Sequence, residues 1–140
     1  ADPGRMSGQV LLVEDNDDVA QSTAAILQAA GLVVTHQWSA DAALAALQGG
    51  MLPDIVLSDI EMPGKLSGMD LAFRLRELWP RLPVVLITGY AKQLEDAVSG
   101  GLRVLPKPTP PQDLLRELRR AMGDAPRPAA GEAALAQPPR

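Results

Sequence analysis

Five times along this chain a short apolar run is followed by a stretch whose apolar residues recur at helical spacing, and this alternation constrains the fold more than any other feature. The runs are QVLLV (9–13), LVVTH (32–36), IVLS (55–58), PVVLIT (83–88) and LRVLP (102–106). QVLLV is continuous rather than alternating, as expected of a strand covered on both faces. In NDDVAQSTAAILQAAG (16–31), Val19, Ile26, Leu27 and Ala30 fall at helical spacing, with Asn16 as cap and Gly31 as stop. SADAALAALQGG (39–50) enters a second helix at Ser39 and closes on glycines. After the third run, Leu71, Ala72, Leu75 and Leu78 share one helix face, and Pro80 ends it. AKQLEDAVSGG (91–101) has room for only a short helix. The last helix is predicted from Thr109 as cap, Pro110 at the first position and Gln112 completing a capping box, with Leu114, Leu115, Leu118 and Met122 as its buried stripe. Five strands alternating with five helices predict an α/β fold: a doubly wound five-stranded parallel sheet, right-handed crossovers, helices on both faces.

A chain of 140 residues, 46% hydrophobic, carries one domain of this kind. The expected boundaries are 9–123, after a polar start (1–8) and before a flexible Pro/Ala-rich tail (124–140). If Met6 is a native start, ADPGR reads as a cloning remnant. The net charge of −4 argues against a surface built for phosphate backbones, so no direct nucleic-acid contact is expected. Without cysteine there is neither a disulfide framework nor a thiolate metal site. No apolar run approaches a membrane span, and the start lacks a secretory hydrophobic segment, so a cytoplasmic chain with no membrane contact is expected.

In open parallel sheets, ligands bind beyond the carboxyl ends of the strands. Glu14 and Asp15 follow the first run, Asp59 the third, Thr88 ends the fourth, and Lys107 follows the fifth, with Pro108 next. Two carboxylates about 4 Å apart repel by ~4 kcal/mol at an effective dielectric of about 20, so such a cluster calls for a cation. Magnesium, which takes hard oxygen ligands and bridges carboxylates to phosphoryl groups, is the natural one. A carboxylate can also act as nucleophile toward phosphorus, and Asp59 is placed for that role. A hydroxyl and an ammonium opposite it would take up developing charge, which Thr88 and Lys107 can supply. Each residue alone has a plainer reading: Asp15, Asn16 and Asp17 could serve the first helix, and Asp59 could be a solvated strand end. Their joint placement at four strand ends favours function. Tyr90 reads as a half-buried packing residue, His36 as surface or packing, and Trp38 and Trp79 as core or rim.

LLVEDN, DIVLSDIEMPG, LITGY and VLPKP, in this order and spacing, resemble the receiver domain of two-component response regulators over about residues 9–122. The resemblance implies a flavodoxin-like strand order 2-1-3-4-5 and an exposed Asp59 phosphorylated by a phosphohistidine on a sensor histidine kinase or phosphotransfer domain. It implies magnesium held by Asp15, Asp59 and the backbone carbonyl of Glu61, with Glu14 acting through water. Thr88 and Lys107 would contact phosphoryl oxygens, and Pro108 would fix its loop through a cis bond. Such a domain is not a turnover enzyme, although it assists its own phosphorylation and dephosphorylation.

The sequence also departs from the family. Val104 stands three residues before Lys107, where many receivers carry Tyr or Phe. The segment between Thr88 and Lys107 is short, and the MPGKLSG loop is slightly long. These features are similar to receivers of hybrid sensor histidine kinases, and the trimmed fourth helix predicts a domain that stays monomeric. Two alternatives come from other classes. A magnesium-dependent phosphatase of haloacid dehalogenase type would need Asp-x-Asp after the first strand, where Glu14-Asp15 stands. A pseudo-receiver would bind a partner without phosphorylation, and the acid, hydroxyl and lysine set counts against it.

Overall fold

The structure, a computed structural model, describes residues 5–62 and 64–124. Strands and helices alternate strictly: β1 (Gln9–Val13), α1 (Asp17–Ala29), β2 (Val33–Gln37), α2 (Ala40–Gln48), β3 (Ile55–Asp59), α3 (Gly68–Leu78), β4 (Val84–Thr88), α4 (Ala91–Ser99), β5 (Arg103–Pro106) and α5 (Pro111–Asp124). The strands form one parallel sheet in the order β2-β1-β3-β4-β5, the order implied by the resemblance. The tail expected from residue 124 onward lies outside the described residues except for Asp124, which closes α5.

The continuous apolar runs are explained by what covers the sheet. In β1 and β3, Val10, Leu12, Ile55 and Leu57 pack with Ala20 and Leu27 of α1 and Leu114, Leu118 and Met122 of α5. The intervening Leu11, Val13 and Val56 pack with α2, α3 and Trp79 on the other face. Both faces are dry, so both sets of positions must be apolar. A smaller cluster of Ile60, Ala72, Leu86 and Ala97, with Val104 against it, seats α4, whose one fully buried residue is Ala97. Trp79 is a core residue and Trp38 an exposed one.

The first face begins before Gln9. Met6, inside the segment expected to be a polar start, is buried in this core, and its N–H donates to the Ala30 carbonyl at 2.7 Å. Gly31 makes room for it, because a Cβ there would lie 2.3 Å from the Met6 carbonyl oxygen, at a φ of +110°.

Most helix starts follow their local signals. Asn16 accepts the Val19 N–H and Ser39 accepts the Ala42 N–H, satisfying first-turn donors that the helix cannot. α3 opens on a reciprocal capping box between Ser67 and Asp70. α5 begins at Pro111, one residue later than the sequence predicts; Pro110 accepts from Asp113 and Leu114, and the Thr109 hydroxyl donates to the Pro106 carbonyl. Neither proline carries an N–H, so both suit the first turn and the sequence signals do not choose between them.

Candidate functional site

The strand register sets the site out as a staircase. Asp59 closes β3 level with Ile87; Thr88 stands one residue further along β4, level with Pro106; Lys107 is one residue beyond that. Two residues of strand correspond to about 7 Å. The lysine stem reaches back over that distance and across β4, placing Nζ 2.8 Å from Asp59 Oδ2. The Lys107 N–H donates to the Thr88 carbonyl at 2.8 Å, and the Lys107–Pro108 peptide is cis.

Glu14, Asp15 and Asp59 each offer a carboxylate oxygen, and these atoms all lie within 4.8 Å of one another. Asp59 is only 7% exposed, which corrects the expectation of an exposed strand tip. The cause is local packing. An added Cβ at Gly68 would lie 2.0 Å from the Asp59 carbonyl oxygen, so α3 starts directly against the end of β3. Protein groups replace water around the Asp59 carboxylate: Lys107 bonds Oδ2, and the Glu61 N–H donates to Oδ1 at 3.2 Å.

The electrostatics follow from this burial. Loss of hydration pushes the Glu14 carboxyl up to about 7, and the nearby Asp59 charge and a hydrogen bond with Asp15 add to the rise. The Asn16 N–H and the Lys107 ammonium act in the opposite direction. Burial lowers the Lys107 pKa, but the hydrogen bond and charge of Asp59, with Glu14 and Glu61 beyond, outweigh it and hold the ammonium above its ordinary value. Three hard-oxygen ligands, two of them buried, fit a divalent cation such as magnesium.

Thr88 is 1% exposed. Its hydroxyl donates to Glu61 Oε2 at 2.6 Å and accepts the Tyr90 N–H at 3.1 Å. The sequence reading gave Glu61 only a backbone role and missed this contact. A signal was present: Glu61 lies two residues past the end of β3, and β3 neighbours the strand that ends on Thr88. Tyr90 is 63% exposed rather than half-buried, because α4 starts immediately after it, and its amide is what touches the site. His36 Nε2 lies 2.7 Å from the Glu14 carbonyl oxygen, and its ring stacks on Trp38 with centroids 4.0 Å apart. Trp38 Nε1 in turn donates to Asp17. These two aromatic residues brace the exit of β1 from the side of β2.

A sequence profile described as the response regulator receiver domain matches residues 10–119. The chain belongs to this family. The receiver is 33% identical over 117 residues to the response regulator receiver protein CpdR of Brucella abortus, covering 81% of this chain and 96% of that protein. It is 38% identical over 117 residues to the C4-dicarboxylate transport transcriptional regulatory protein DctD of Pseudomonas aeruginosa, covering 81% of this chain but only 25% of that one. A receiver domain structure from Clostridium thermocellum superposes with a TM-score of 0.75 at 28% identity, covering 82% of this chain and 94% of that one. Receivers accept phosphoryl groups in two-component signalling and interact with sensor histidine kinases; the phosphatase and pseudo-receiver alternatives are not favoured. Among the described residues, no helix is long and apolar enough to cross a membrane.

Proposed function

We propose that Asp59 is the phosphoacceptor of this receiver and that Thr88 and Lys107 hold the incoming phosphoryl group. The observation that carries this reading is the Lys107 ammonium, 2.8 Å from a carboxylate that shares its cluster with Glu14 and Asp15. An Asp59 oxygen attacks phosphorus of a phosphohistidine on a sensor histidine kinase or phosphotransfer domain. The P–O bond forms, the P–N bond breaks, and the departing imidazole takes a proton. Lys107, fixed by strand register, and the Thr88 hydroxyl, on the adjacent strand end, stabilise charge on the phosphoryl oxygens. Magnesium, held by Asp15, Asp59 and the Glu61 carbonyl with Glu14 acting through water, would supply the positive charge that offsets carboxylates and phosphoryl oxygens together.

This assigns no turnover of external substrates: the domain assists its own phosphorylation and dephosphorylation. Incubation with phosphoramidate and magnesium is expected to label the chain once, at Asp59, as read by mass spectrometry. Label on another residue, or steady phosphate release with no labelled protein, overturns the assignment.

The domain itself is proposed to be cytoplasmic and to contact neither membrane nor nucleic acid, in keeping with its net charge of −4. It is also proposed to stay monomeric. Leu94 of α4 is half-buried and Val98 exposed, and Val104 replaces the usual aromatic switch residue, so this face offers little of the roughly 1,000 Å² that a stable interface buries. Light scattering of the magnesium and beryllofluoride form is expected to give a monomer mass. A dimer mass overturns this part of the proposal.

A further inference from the structure

The Thr88 hydroxyl has one proton to donate, and in this structure the proton goes to Glu61 Oε2 at 2.6 Å. The Thr88 hydroxyl oxygen itself accepts the Tyr90 N–H at 3.1 Å. Thr88 is buried, so protein groups fill both roles of its hydroxyl. Glu61 is well placed for this: its own N–H rests on Asp59 Oδ1, and its side chain reaches from the exit of β3 to the end of β4. A hydroxyl donating to a carboxylate cannot at the same time donate to a phosphoryl oxygen. The bond to be broken is charge-assisted, a stronger class than neutral pairs.

We propose that Glu61 is a positioning residue that latches Thr88 in the resting state, and that a phosphoryl group on Asp59 must win the Thr88 proton from it. This rests on the reading of Asp59 as phosphoacceptor. The half-buried Glu61 carboxylate, once displaced, turns toward water. The Tyr90 amide is bonded to the same Thr88 oxygen, so exchange of the hydroxyl's partner is felt at the first residue before α4. In this receiver the exchange carries the signal from Asp59 to α4 without an aromatic ring at Val104.

The test is an equilibrium titration of the full chain with beryllofluoride and magnesium, in the wild type, Glu61→Ala, Thr88→Val and the double variant. Glu61→Ala is expected to bind on the order of tenfold tighter, the lower end of what a hydrogen bond to a charged group is worth. In the Thr88→Val background the same substitution is expected to change affinity far less. Glu61→Gln is expected to fall between wild type and Glu61→Ala, because the amide oxygen still accepts a hydrogen bond but carries no charge. Equal tightening in both backgrounds overturns the latch, since Glu61 would then act only through its charge. A second readout needs neither magnesium nor beryllofluoride: the Thr88 methyl and Tyr90 amide resonances are expected to shift in Glu61→Ala, and unmoved resonances overturn the latch. A wild-type chain that takes up no beryllofluoride overturns the phosphoacceptor reading instead, while the two resonances still decide whether Glu61 holds Thr88.

Discussion

Each end of β3 carries an aspartate, and the two differ in almost everything except chemistry. Asp54, just before the strand, is half-buried; its Oδ2 accepts the Gln9 N–H at 2.7 Å, and its own N–H donates to the Gln9 carbonyl at 2.8 Å. It ties the start of β1 to the start of β3 and lies apart from the acidic cluster. Asp59, five residues later, shares its surroundings with two further carboxylates and a lysine. An aspartate bonded to a backbone donor ties two strands together, whereas an aspartate clustered with other carboxylates is costly to keep and is a candidate for binding a ligand.

The difference can be broken outright. Phosphoramidate labelling is expected to vanish in Asp59→Asn and to persist at the wild-type level in Asp54→Asn, as measured by intact mass. Equal loss in both would mean that Asp59 holds no special position. The carboxyl end can next be separated into its parts by magnesium titration. Asp15→Asn is expected to weaken binding by more than about tenfold, Glu14→Gln by less because its contact runs through water, and Thr88→Val not at all. An unchanged titration in Asp15→Asn would place the ion elsewhere.

A third measurement concerns stability against pH in the metal-free domain. Glu14 has a pKa of about 7 in the folded protein against an ordinary 4.5. Below pH 4.5 both folded and unfolded chains hold the proton. Between 4.5 and about 7 the unfolded chain releases it while the folded one keeps it, so stability falls as pH rises and levels off above 7, by ~3 kcal/mol at most. Denaturant melts are expected to show that decline in the wild type and a flatter curve in Glu14→Gln, with magnesium restoring wild-type stability at pH 7.5. The smallest effect belongs to the amino end: Asp54→Ala is expected to cost about 1 kcal/mol, one hydrogen bond, as read by denaturant melts.

Much of this arrangement was legible in the sequence because it follows from local rules. Buried strands read as continuous apolar runs, and Asn16 and Ser39 announce their helices by chemistry that acts over three residues. Glu14, Asp15, Asp59, Thr88 and Lys107 could be grouped because parallel strands bring all their carboxyl ends to one edge. What depended on side-chain direction was not legible. The burial of Asp59 comes from the close approach of α3 at Gly68, the Glu61–Thr88 bond from a rotamer, and the burial of Met6 from contacts with residues two dozen positions away. No periodicity encodes these.

The staircase of Asp59, Thr88 and Lys107 has a consequence for which changes in length the receiver can absorb. Positions in the site are counted along strands, from the register of β3 on β4 and of β4 on β5. Residues gained or lost in the β3–α3 loop or around α4 leave that count untouched, so a short α4 and a long MPGKLSG segment coexist with a complete constellation. A single residue inserted between Arg103 and Lys107 would instead raise the ammonium by about 3.3 Å, one strand step, beyond the reach of a stem already spanning two. The segments between elements are free to drift in length, while the last residues of each strand behave as fixed gauge marks.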